Sequence, residues 1–327
     1  MAEEKVKKES PKKESVIDRL NKDYGKGTIV GGNTKADDVK AVKTGSLTLD
    51  IATGIGGNPE GMLIEIFGPE SSGKSTLALH CIAEFQKAGK KSLLADYEHS
   101  FDKKYARALG VDVDELLISQ PRTMEDGYNI ICRVIESEEF GLIVLDSQTA
   151  MVPAKCLEGD IGDAKMALQA RINSEAYLKI HRLLDIHNVT MIVISQLRTN
   201  IGGYGDPNIP TGGNALKFYC DMRYKVSKQL DKEHDQNKTT VEVIKNKCAS
   251  PFGKAEFKIK WGIGIDRMQE ILDLAVEYKF IEKGGAGWYT IGETKLQGDE
   301  KVKEFLTDNP TYALELETKV LNKIKEI

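Results

Sequence analysis

No apolar run in this 327-residue chain approaches the ~20 residues that a membrane-spanning helix needs, and its Lys/Glu-rich start lacks the hydrophobic centre of a secretory signal. The expectation is a soluble, cytoplasmic protein with no membrane partner. Cysteine is sparse: Cys81, Cys132, Cys156, Cys220 and Cys248 form no C-x-x-C pair, which fits free thiols in a reducing compartment. The five histidines show no metal-ligand spacing, which argues against a metal site made only of protein side chains. Positive charge is not in excess either. With 46 Lys and Arg against 50 Asp and Glu, the net charge of −4 excludes nucleic-acid binding through bulk charge, so any DNA site must be local. No internal repeat is visible, and 40% hydrophobic content is enough for a core in one large or two unequal domains.

What the chain does hold centres on Gly68-Pro69-Glu70-Ser71-Ser72-Gly73-Lys74-Ser75-Thr76. It follows the apolar run Met62 to Phe67 and precedes the helically spaced Leu77, Ala78, Cys81, Ile82 and Phe85. Strand, glycine loop and helix in that order make a phosphate-binding P-loop. The glycines let backbone N–H groups turn inward around phosphate oxygens, and the helix beginning near Lys74 adds the positive end of its dipole. Lys74 is placed to reach the β- and γ-phosphates of ATP, with the Ser75 hydroxyl on Mg²⁺. An ordinary glycine turn is the competing reading, and the flanking strand and helix weigh against it.

In chain order, residues 1–14 mix five Lys with four Glu and have almost nothing to bury, so they read as a disordered tail. Val16, Ile17 and Leu20 make a short amphipathic helix stopped by glycine near Gly25, either folded on its own domain or an arm that docks on a neighbour. Ser92 to Asp96 reads as a buried parallel strand that delivers Glu98 at its carboxyl end, where ligands sit in doubly wound sheets. Glu98 is thus a candidate general base, or else a solvated loop carboxylate. Leu142 to Asp146 is a Walker-B strand in which Asp146 holds Mg²⁺ or caps the next helix. A helix is expected over Ala164–His187 and a strand over Thr190–Ser195, leading to Gln196, whose segment could touch a γ-phosphate at one end. Two loose stretches, Glu158–Asp163 and Asn200–Asn214, leave the nucleotide-bearing edge; the second has five glycines and two prolines. β-type runs follow at Tyr219–Val226, Thr239–Lys247 and Ala255–Trp261, and Lys245 and Lys247 project from one face, for which a solvated face is the ordinary account. From residue 266 a small module is expected: a helix to about Phe280, one strand at Trp288–Ile291, then two helices.

GPESSGKST, Glu98-His99, LIVLDS, EGDIGD, the Gln196/Arg198 pair, TGGNALKFY (Thr211–Tyr219) and VIKNKCASPF together resemble the bacterial RecA recombinases, in order from about Ser15 to Ile327. The resemblance implies an α/β fold with a RecA-type P-loop NTPase core at 37–265 and a mostly parallel sheet, a helical oligomerisation arm at 15–36, and a small α+β C-terminal domain at 266–327. It implies an ATPase that polymerises on single-stranded DNA as a helical filament, pairs it with homologous duplex and exchanges strands. The nucleotide would lie between protomers, with Glu98 as base, Gln196 as γ-phosphate sensor, and Lys245 and Lys247 reaching across from the neighbour. Asp102, Tyr105 and, from the partner side, Trp261 would hold adenine. Met166, Arg171, Ser174, Arg198, Thr199, Asn200, Ile201, Gly212, Gly213 and Asn214 would contact DNA, largely through phosphates and backbone amides. A single-strand-binding protein and a LexA-like repressor are further partners that it suggests.

This chain departs from the family in places. The second loop is one residue shorter, which shifts the match of Tyr204; Leu178 replaces an Arg, and Lys165 replaces a His. No acidic tail follows Lys325-Glu326-Ile327, so weaker self-inhibition of duplex binding is expected. Two other functions use the same residues: a scaffold or co-protease filament with dispensable hydrolysis, and a small-molecule phosphotransferase. The second leaves both glycine-rich loops unexplained.

Overall fold

The computed structural model describes residues 15–25, 28–29, 39–158, 166–199, 208–210, 213–231 and 236–326, and the chain divides into two units, 1–39 and 40–327. The tail expected over 1–14 lies outside the described residues. In the first unit, α1 (Val16–Tyr24) starts where the Ser15 hydroxyl accepts from the Ile17 amide and stops at Gly25, at φ 107°. Its Val16 and Ile17 are 61% and 52% exposed.

The second unit opens with β1 (Ala41–Val42) and β2 (Asn58–Pro59), paired around α2 (Leu47–Ala52). Strands and helices then alternate: β3 (Leu63–Gly68), α3 (Lys74–Lys87), β4 (Lys91–Asp96), α4 (Lys103–Ala108), β5 (Leu117–Ser119), α5 (Met124–Glu136), β6 (Phe140–Asp146), α6 (Ala154–Glu158), α7 (Met166–His187) and β7 (Thr190–Thr199). Each helical crossover returns the chain in the same direction, which gives parallel strands. The parallel part runs β3, β7, β6, β4, β5. After β8 (Asn208–Pro210), which pairs with β7, and α8 (Ala215–Tyr219), the sheet extends on the other side of β3. There β9 (Met222–Asp231) lies parallel to β3, followed by antiparallel β10 (Gln236–Asn246), β11 (Lys254–Lys260) and β12 (Gly264–Ile265).

The continuous apolar runs of the strands have a cause visible in the two cores. Ile64, Ile66, Leu94, Leu142, Val144, Ile192 and Ile194 face one side with Leu77, Ile82 and Phe85 of α3. Their neighbours Leu63, Leu93, Ala95, Ile143, Leu145, Met191 and Val193 face the other, with Ile131 and Ile135 of α5 and Tyr177, Ile180 and Leu184 of α7. A strand covered on both faces must be apolar at every position, and each such side chain contributes roughly 1.5–3 kcal/mol. Glu65 is the exception inside β3, buried and paired with the buried Arg223.

The last part, α9 (Arg267–Glu277), β13 (Glu282–Lys283), β14 (Trp288–Ile291), β15 (Thr294–Gln297), α10 (Asp299–Asp308) and α11 (Pro310–Lys325), closes over its own core of Ile271, Leu272, Tyr289, Val302, Leu306, Leu316 and Val320. Leu47 of α2 belongs to that core, and the buried Glu270 accepts from the Ser46 hydroxyl (2.7 Å) and the Thr48 amide (3.0 Å) at the start of α2.

Several boundaries differ from the sequence expectation. Tyr219 belongs to α8, not to a strand, because pairing with β3 begins only where the Asp221 amide donates to the Leu63 carbonyl (2.8 Å). The strand at Thr190 runs on to Thr199 because β8 pairs with it, and α9 stops at Glu277, just before Lys279 at φ 61°. The module has three strands: β13 is two residues long and β15 is Thr-Lys-Leu-Gln, so neither shows an apolar signal.

Candidate active site

β3 ends on Gly68, where an added Cβ would sit 2.2 Å from the Val226 carbonyl oxygen, so the chain can turn this close to β9 only without a side chain. Gly73 takes φ +97°, a left-handed value that glycine adopts without strain, and so sets the start of α3. Lys74 is thereby the first residue of a 14-residue helix, 6% exposed, with its ammonium donating to the Pro69 carbonyl (2.7 Å).

Strand register brings the other groups to the same edge. Gly68 pairs with Gln196, and Asp96 with Asp146, so the carboxyl ends of β3, β7, β4 and β6 lie together. A cavity of about 740 Å³ opens there, lined by the loop residues Glu70 to Thr76 and by Glu98, Asp102, Tyr105, Asp146, Gln196 and Trp261. The structure places Trp261, expected from the partner side, among the residues lining the cavity of its own chain: β11 runs in the same direction as β3 in the same sheet and ends beside the P-loop. Trp261 is 63% exposed there. Lys104, Ile194, Ile259, Lys260 and Gly262 also line the cavity and were not read from the sequence. The alternation in β11 marks Ile259 as inward and Lys260 as outward, whereas no pattern singles out Lys104.

One Glu98 oxygen, Oε1, accepts from both the Ser147 hydroxyl (2.6 Å) and the Gln196 side-chain amide (2.7 Å). The candidate base and the candidate sensor are thus in direct contact. Burial pushes the Asp146 carboxyl up to about 6, helped by Glu98 and Asp96 and opposed by the Ser75 hydroxyl and Lys74. Burial likewise pulls Lys74 below its usual value, against the attraction of Asp146, Glu98 and Glu70. Asp146 Oδ1 is buried with no hydrogen-bond partner. A buried carboxylate oxygen lacking a donor, next to a hydroxyl and facing a cavity, fits a hard divalent cation such as Mg²⁺ that takes its remaining ligands from phosphate and water. Asp102 is already engaged: it caps α4, accepting from the Lys104 (2.7 Å) and Tyr105 (3.2 Å) amides. The Tyr105 hydroxyl lies 3.0 Å from that of Thr76.

The candidate DNA contacts fall in three groups. Arg171 and Ser174 are exposed on α7, on the same side as Leu178, opposite the buried Asn173, Tyr177 and Ile180. Gly213, at φ +86°, lies so close to Ala170 of α7 that an added Cβ would be 3.1 Å from the alanine Cβ, so the end of the second loop meets the helix that follows the first. Asn214 is exposed beside it. Met166 begins α7, and Arg198 and Thr199 end β7, directly beyond Gln196. Asn200, Ile201 and Gly212, with Tyr204 and most of both loops, lie outside the described residues.

Lys245 and Lys247 are not at the cavity. Asn246 pairs with Met222 and Met222 with Ile64, so the end of β10 lies at the amino end of β3, roughly 13 Å of strand from Gly68. Lys245 donates to the Lys217 (3.1 Å) and Phe218 (3.0 Å) carbonyls, and Lys247 to Asp221 (2.7 Å).

Comparison with known proteins agrees along the chain. A model of the RecA N-terminal domain matches residues 12–266, and one of the RecA C-terminal domain matches residues 269–325. The chain is 45% identical over 338 residues to "Protein RecA" of Porphyromonas gingivalis, covering 99% of each chain. It is 44% identical over 331 residues to "Protein RecA" of Leptospira meyeri, covering 98% of this chain and 85% of that one, and 45% identical over 315 residues to "Protein RecA" of Rhodospirillum rubrum, covering 94% and 86%.

Proposed function

The chain belongs to the RecA family, and on that premise we propose that it is a DNA-dependent ATPase that polymerises on single-stranded DNA and exchanges it with homologous duplex. Membership itself carries DNA recombination and repair, with ATP and DNA binding. The finer reading rests on one observation: the groups that suit phosphate chemistry are divided between opposite edges of the sheet. Lys74, Ser75, Glu98, Asp146 and Gln196 border the cavity, while Lys245 and Lys247 end at the far edge and cannot serve their own chain's P-loop. A second copy, set head to tail, would bring its lysines to the first copy's nucleotide, and repetition of that heterologous contact builds a filament.

In this arrangement the loop from Gly68 to Thr76 cradles the phosphates, and Lys74 neutralises charge on the β- and γ-phosphates. Ser75 and Asp146 would hold Mg²⁺, which when bound draws charge from the same oxygens. Glu98, oriented by Ser147 and Gln196 through Oε1, uses its other oxygen to position and deprotonate the attacking water. Lys245 and Lys247 of the next copy stabilise the charge that develops in the transition state. Tyr105 and Trp261 flank the base from the same protomer. Gln196 sits on the strand that runs straight into Arg198, Thr199 and the second loop, so a change at the γ-phosphate is passed to the DNA-facing segment along one backbone. Residues 15–36 act as the oligomerisation arm, 37–265 as the ATPase core and 266–327 as the C-terminal domain. DNA is held by Met166, Arg171, Ser174, Arg198 to Ile201 and Gly212 to Asn214.

Glu98→Gln tests the catalytic part: it should bind ATP and assemble on DNA while losing turnover, and wild-type turnover would remove Glu98 as the base. Lys247→Ala tests the divided site: monomer ATP binding is kept and DNA-stimulated turnover is lost, whereas full turnover would remove the role in trans.

A further inference from the structure

Lys247 is held in a way that a merely solvated lysine is not. Its ammonium donates to Oδ1 of Asp221, a carboxylate only 6% exposed, and its backbone amide donates to the Asp221 carbonyl (3.1 Å). Asp221 is itself fixed on every side. Its amide donates to the Leu63 carbonyl, its Oδ2 accepts from the Leu63 amide (3.0 Å), and His181 Nε2 of α7 lies 3.1 Å from the same Oδ1 that Lys247 uses. A carboxylate can only accept, so His181 donates. Burial works against the ionised form of Asp221, yet the bonds from Lys247, Leu63 and His181 hold its carboxyl below the usual range.

The Lys247 side chain is 48% exposed, and an ammonium has three hydrogens. One is used by Asp221 and the others are left for an acceptor outside the chain. A free lysine would spread over many rotamers, and this mount selects one. We propose that Asp221 is a positioning residue that pre-sets Lys247 for the phosphates of a second copy of this chain, with His181 steadying the carboxylate. This rests on the reading that Lys247 serves a neighbour's nucleotide. A cation fixed in advance needs no reorganisation in the transition state, so the mount should act on kcat and leave the KM for ATP nearly unchanged.

The test is complementation in mixed filaments on single-stranded DNA, following ATP hydrolysis per intact P-loop. Asp221→Asn alone should lower kcat about tenfold with KM for ATP within about twofold. Mixed in equal amounts with Lys74→Arg, which lacks a working P-loop but keeps the Asp221–Lys247 mount, the Asp221→Asn chains should recover to about half the wild-type rate, because about half of their P-loops then border an intact donor. Lys247→Ala with Lys74→Arg is the control. If Lys247→Ala recovers but Asp221→Asn does not, or if Asp221→Asn alone is as fast as wild type, the positioning role is wrong while the action of Lys247 in trans survives. If Lys247→Ala does not recover, the reading in trans falls and this proposal with it. Asp221→Ser keeps an oxygen for the Leu63 amide but no carboxylate for Lys247; it gives the same readout should the Asn variant fail to fold.

Discussion

Gln196→Ala and Ser147→Ala make a matched pair, because each deletes one of the two donors to the same Glu98 oxygen, at 2.7 and 2.6 Å. A hydrogen bond to a charged group contributes about 1.5–3 kcal/mol where solvent is excluded. Glu98 is exposed at the end of its strand, so screening reduces each to about 1 kcal/mol, or about fivefold in rate. Both variants should therefore lower DNA-free turnover by about the same factor. Their response to DNA should differ. Gln196 lies on β7, which continues directly through Arg198 and Thr199 into the second loop, whereas Ser147 follows β6 and is separated from the first loop by α6. In steady-state phosphate release at saturating ATP, Ser147→Ala should keep the wild-type ratio of rates with and without single-stranded DNA, and Gln196→Ala should bring that ratio close to one. Loss of the ratio in Ser147→Ala, or its retention in Gln196→Ala, would refute the idea that the β7 backbone carries the signal.

Gly68→Ala would force a Cβ to 2.2 Å from the Val226 carbonyl, a backbone clash that can be relieved only by moving β3 from β9; a loss of roughly 1–3 kcal/mol and weaker ATP binding are expected, and an unchanged melting temperature would contradict it. Burial raises the Asp50 carboxyl from 3.8 to about 7, since the Thr44 bonds reach only Oδ1, and Arg267, 3.9 Å away, is committed to Glu317 at 2.9 Å. The folded state then keeps a proton that the unfolded chain has lost, so this group's contribution is full below pH 4 and fades as pH rises through 7. Asp50→Asn should remove that dependence, on the order of 3 kcal/mol, in denaturant titrations from pH 5 to 8; parallel curves for variant and wild type would count against it. Arg198→Ala should weaken binding to strands of any sequence and flatten the salt dependence, and a loss confined to one sequence would contradict a phosphate contact.

The parts of the site that were legible in the sequence are those written as local pattern in the right context. The P-loop needs a strand, two special glycines and a helix, all contiguous, and the apolar runs ending in Asp96 and Asp146 place their carboxylates at the same edge by register alone. What escaped was set by partners distant in sequence. Trp261 reaches the cavity of its own chain only because β11, three strands away from β3, runs in the same direction as β3 and so ends at the same edge. Lys104 carries no local mark, and Ser147 could not be linked to Glu98 before β4 and β6 were known to be neighbours. The same holds for Asp221, which sits unmarked inside the run expected as a strand at Tyr219–Val226 and becomes the mount for Lys247 only where the ends of β3 and β10 meet. In the C-terminal domain, β13 and β15 are too short and too polar to give a period-two signal, and pairing with β14 creates them.

The claim that turnover needs the far edge of a second copy is tested most directly by ATP hydrolysis measured across protein concentration, with and without single-stranded DNA. The account predicts a rate per chain that rises steeply with concentration, and a DNA stimulation that shifts this rise to lower concentration. A rate per chain that is independent of concentration and indifferent to DNA would contradict it.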